Sequence, residues 1–137
     1  MEIPQIDRSN YLKGLLITAR KDEQLAESEK EILKTISERL GFSKDFFEET
    51  ITTLLANKYI TEEPPKFSNN KISQSFVTDA LRLALSDNKV GNTELEWVYT
   101  VAKANGITSE WVDKKLEELK SKPHLIGNLE LALYTIL

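Results

Sequence analysis

The chain has no cysteine, one histidine, one methionine, and only five glycines and four prolines among 137 residues. Without cysteine there is no disulfide, zinc–thiolate site, iron–sulfur cluster or thiol nucleophile. A single imidazole, His124, excludes any site that needs two. Positive charge is not in excess: 18 bases against 22 acids leave a net charge of −4. That balance argues against nucleic-acid binding, which needs dense Lys and Arg to neutralise phosphates. No apolar run approaches the ~20 residues of a transmembrane helix. The opening Met1-Glu2-Ile3-Pro4-Gln5 is unlike a signal peptide. With 40% apolar and 29% charged residues, the expectation is one cytoplasmic domain over residues 1–137, large enough for an ordinary core.

What the sequence does contain is a pattern written twice. Shifting the chain by 65 residues aligns Tyr11–Leu55 with Phe76–Lys120 without a gap, with eight identities in 45 positions. Residue classes match where physics needs them. Tyr11, Leu12, Leu15, Leu16 and Ala19 meet Phe76, Val77, Ala80, Leu81 and Ala84, the stripe of an amphipathic helix. Ser28-Glu29-Lys30-Glu31 meets Thr93-Glu94-Leu95-Glu96, and both fit a capping box that starts a second helix at Ser28 or Thr93. Gly41-Phe42 and Gly106-Ile107 suit Schellman stops. Ser43 and Thr108 then open a third helix, with Phe46, Phe47, Ile51, Leu54 and Leu55 expected inward in one copy and Trp111, Val112, Leu116 and Leu119 in the other.

The fold class that follows is all-α: two three-helix units, about residues 11–55 and 76–120, packed together with pseudo-twofold symmetry. The first helix of the second unit (Leu81, Leu83, Ala84, Leu85) is apolar over the wider arc and is expected to be the most buried. Thr61-Glu62-Glu63-Pro64-Pro65 reads as a surface connection. In the C-terminal segment, 123–137, Leu125, Leu129, Leu133 and Ile136 keep a helical stripe, whereas Leu129, Leu131 and Leu133 alternate as in a strand. Its apolar density requires cover, from the core or from a second chain in a homodimer.

The acids Asp22, Glu29, Asp87 and Glu94 are the same in both copies. Their loops are not EF-hands: the twelfth positions are Leu33 and Val98, and neither loop has the turn glycine. Two readings stand. In one, Glu29 and Glu94 interact with the helix dipole while the aspartates satisfy loop amides. In the other, the twofold brings the four carboxylates together as an oxygen-ligand site. With no cysteine and one histidine, that site suits Ca²⁺, Mg²⁺ or Mn²⁺. Trp97 and Trp111 fit core packing, and Lys114, Lys115, Lys120 and Lys122, interrupted by Glu117 and Glu118, fit a solvated face. Neither a Gly-x-Ser-x-Gly elbow nor a phosphate-binding loop occurs, so an enzyme is not expected.

The repeated acidic loops, Asp22-Glu23-Gln24-Leu25-Ala26-Glu27-Ser28-Glu29 and Asp87-Asn88-Lys89-Val90-Gly91-Asn92-Thr93-Glu94, each leading into a helix, resemble the TerB-like family of tellurite-resistance proteins. The likeness covers about residues 11–120. Glu23 and Asn88 stand where that family often has glycine. The resemblance implies about seven helices, a stress-associated role, a binding or scaffolding module with other proteins as partners, and acidic residues that contact metal ions.

Overall fold

The computed structural model describes residues 3–21, 27–56, 63–85 and 92–121, all-helical with no strand among them. Six helices follow in order: α1 Gln5–Arg20, α2 Glu27–Arg39, α3 Lys44–Ala56, α4 Asn70–Leu85, α5 Asn92–Ala104 and α6 Ser109–Ser121. The shift of 65 that aligns the two halves of the sequence also relates the boundaries of α1 to α4, α2 to α5 and α3 to α6. The six helices correspond to six of the expected seven. The seventh and the helix-or-strand question fall on residues 122–137, outside the described residues.

Local chemistry sets the helix ends. Gly41 and Gly106 adopt positive φ, 93° and 75°, which costs glycine no Cβ clash. Behind them the Phe42 and Ile107 amides donate to the Ser37 and Ala102 carbonyls at 3.0 and 2.9 Å, the six-to-one bond of a Schellman stop. Ser43 Oγ then accepts from the Phe46 amide at 3.1 Å, and Thr108 Oγ1 from the Trp111 amide at 3.2 Å. The Asn69 side chain caps α4 through the Ile72 amide at 2.9 Å. α2 and α5 are described from Glu27 and Asn92 onward, and the residues just before them, where a start would be judged, lie outside the described residues.

α1 and α4 pack together at the centre, with α2 and α3 on α1 and with α5 and α6 on α4; α5 also reaches α1. Every residue of α4 from Ser75 to Leu85 is buried, as its wide apolar arc requires. At the crossing, the Tyr11 ring meets Phe76 edge to face at 5.5 Å, and Phe67 lies against both. Gly14 permits the approach: a Cβ there would stand 2.7 Å from the Phe76 ring and 3.2 Å from Pro65. The connection between the halves is pinned by Asn105, whose amide donates to the Pro65 carbonyl at 2.8 Å and accepts from the Phe67 amide at 2.9 Å. Asp7 holds the next residue, accepting from the Ser68 amide at 3.0 Å and from its hydroxyl.

One inward expectation fails. Phe46 is 46% exposed, while Phe47 is buried. Adjacent residues on a helix lie about 100° apart, so only one of the pair enters the core at the start of α3. Phe46 stacks on Phe42 instead, centroids 5.1 Å apart. The Leu54 and Leu55 side chains lie outside the described residues. Trp97 is buried, and Trp111 packs half-buried on the core.

Candidate functional site

Glu29 and Glu94 lie in the first described turns of α2 and α5. Both are shielded from water, 0% and 1% exposed. A carboxylate in the first turn interacts favourably with the helix dipole. A buried charge left uncompensated costs several kcal/mol or more, and both glutamates have interactions within the fold. Asp22 and Asp87, the other members of the expected cation set, lie outside the described residues. Among the described residues, no group of three or more His, Cys, Asp or Glu is arranged to hold a metal ion.

A second polar cluster joins α1 to α4. The Tyr11 hydroxyl donates to Asp79 Oδ2 at 2.5 Å and lies 2.8 Å from Ser75 Oγ, which is left to act as the donor. Arg82 Nη1 meets Asp79 Oδ1 at 3.1 Å, one helical turn along α4. All four residues are buried. Burial pushes the Tyr11 hydroxyl well above its ordinary pKa of 10.0, and the negative Asp79 adds to the rise; Ser75 and Arg82 oppose it. A proton held this firmly and this far from solvent suits a fixed donor and not an acid–base catalyst. The sequence reading placed Tyr11 on an apolar stripe and passed over this cluster. The available signal was Asp79 and Arg82, two charges at i, i+3 within the helix expected to be most buried.

Two surface concavities among the described residues border α1. One, about 250 Å³, lies where α1 faces the connection, with Asn10, Lys13, Glu63 and Lys66 at its walls and Gly14 and Pro65 at its floor. The other, about 240 Å³, is an apolar groove between α1 and α3, lined by Leu12, Leu16, Phe42, Phe46 and Thr50 with Lys13 at its edge. Sequence reasoning missed the groove because it assigned Phe46 to the core.

No described helix is long and apolar enough to cross a membrane. Comparison with family models, curated proteins and solved structures returns no match.

Proposed function

We propose that the chain is a non-enzymatic, TerB-like helical binding domain that responds to a divalent cation in a cytoplasmic stress system of the tellurite-resistance type. The observation that carries this reading is the burial of Glu29 and Glu94, 0% and 1% exposed, at corresponding places in α2 and α5. Neither glutamate is without a partner in the fold, so a cation would join the contacts each already makes. Each follows an aspartate, Asp22 or Asp87, by seven positions. In a chain without cysteine and with one histidine, such oxygen donors select hard cations: Ca²⁺, Mg²⁺ or Mn²⁺.

The test is calorimetric titration of each cation into the full chain and into Asp22→Asn/Asp87→Asn. The reading expects binding heat at or below millimolar ion in the first, and affinity reduced at least ~10-fold in the second, as loss of carboxylate ligands requires. No heat at millimolar ion overturns it.

A second reading, a protein–protein interaction module whose acids are structural, is favoured by the position of both glutamates. Both lie in the first described turn, where a carboxylate is stabilised by the helix dipole.

A further inference from the structure

We propose that the face made by α1 and α3 binds a second copy of this chain, around a twofold axis that passes over the apolar groove. Ile6 and Phe46, 66% and 46% exposed, are the large hydrophobic side chains left in water among the described residues, and both belong to this face. Phe46 lines the groove with Leu12, Leu16 and Phe42. Ile6 shares the α1 face of Ser9 and Lys13, which form the groove's edge (i, i+3, i+7).

The charges on the two walls identify the occupant. Lys13 stands exposed on α1 at one edge of the groove, and Glu49 stands exposed on α3, one turn beyond Phe46. Among the described residues, neither is in an ion pair within its own chain. Across the face the order is therefore cation, apolar strip, anion. A twofold axis through the strip reverses that order in the partner copy. Each Lys13 then faces a Glu49 across the interface, while the two Phe46 rings meet near the axis. A twofold interface has to be complementary to itself in this way, and a face bordered by one sign of charge would repel its own copy.

The corresponding face of the second half lacks the pattern. Shifted by 65 positions, Ile6, Lys13, Phe46 and Glu49 become Lys71, Thr78, Trp111 and Lys114, two cations and no anion. Thr78 is buried, Trp111 packs on the core, and Lys115 Nζ lies 5.4 Å from the Trp111 ring.

Charge reversal tests the pairing at exposed positions that leave the core untouched. Sedimentation equilibrium of the full chain between about 10 µM and 1 mM covers the affinities of small protein interfaces. A dimer is expected. Lys13→Glu and Glu49→Lys should each weaken it ~10-fold or more, because either reversal sets like charges opposite each other twice. Mixing these two variants restores unlike pairs, so the mixture should associate at least ~10-fold more tightly than either variant alone. Phe46→Ser should weaken the dimer as well, with circular dichroism checking that every variant keeps its helices. A chain that stays monomeric up to about 1 mM overturns the proposal. So does a dimer that neither reversal weakens, or a mixture that fails to restore it, since either would place self-association on another surface.

Discussion

Tyr11 on α1 and Phe76 on α4 stand 65 positions apart and meet edge to face, yet their far edges find opposite chemistry. The Tyr11 hydroxyl ends on Asp79, while the Phe76 ring ends on Gly14, the residue 65 positions before Asp79. One crossing therefore combines a polar lock with a close approach. The hydroxyl requires a buried acceptor, and the ring without one requires a missing side chain.

Removing the hydroxyl should loosen this crossing. Tyr11→Phe leaves Asp79 short of one donor, and urea unfolding is expected to show a loss of about 1–3 kcal/mol. Arg82→Met removes the ion-pair partner of the buried Asp79 and is expected to cost about 3–5 kcal/mol. The two changes share one acceptor, so their sum should miss the double variant by more than ~0.5 kcal/mol. Strict additivity would mean that the cluster does not act as a unit.

Gly14→Ala sets helix propensity against packing. Alanine in a helix interior is favoured by about 1 kcal/mol. Against that, the new Cβ would lie 2.7 Å from a buried ring that Tyr11 and Phe67 also hold. A net loss of about 1–3 kcal/mol is expected, partly recovered in Gly14→Ala/Phe76→Leu. A variant more stable than the parent would show that the α1–α4 approach is not tight.

Alkaline pH should unfold the protein through its tyrosines. Tyr11 is pushed well above 10.0 by burial and by Asp79; Tyr99, by partial burial and its hydrogen bond to Asp113, is pushed up to about 12. In both cases the folded state keeps a proton that the unfolded chain releases near pH 10. Stability from this source is therefore whole below about pH 10 and falls as pH rises through the folded values. Urea unfolding between about pH 9 and 11.5 should show that decline, with a shallower slope in Tyr11→Phe. Equal slopes in the two proteins would contradict the assignment to Tyr11.

Periodicity, glycine stops and short caps are local signals, and they made most of this architecture legible. The stops at Gly41 and Gly106 and the caps at Ser43 and Thr108 are where the sequence put them, and α4 is the buried centre. Tertiary choices were not legible. Phe46 and Phe47 are equally apolar, and only packing decides which of them enters the core. Asp79 and Arg82 look anomalous in α4 until Tyr11 arrives from a helix 68 positions away from its acceptor. At the candidate site, the sequence singled out Glu29 and Glu94, but nothing local to it states that both are withdrawn from solvent; that follows from how α2 and α5 lie on the rest of the fold.

The central claim, that the buried glutamates serve a cation-responsive domain, is tested most directly by thermal melting of the full chain with and without millimolar Ca²⁺, Mg²⁺ or Mn²⁺. A ligand held by the folded state alone, at about 100 times its Kd, adds about 2.7 kcal/mol. For a chain of this size that raises Tm by roughly 10 °C. The account predicts such a rise for at least one of the three ions, and its loss in Glu29→Gln/Glu94→Gln measured against that variant's own ion-free Tm. An unchanged Tm with all three ions would contradict it and leave Glu29 and Glu94 as buried structural acids.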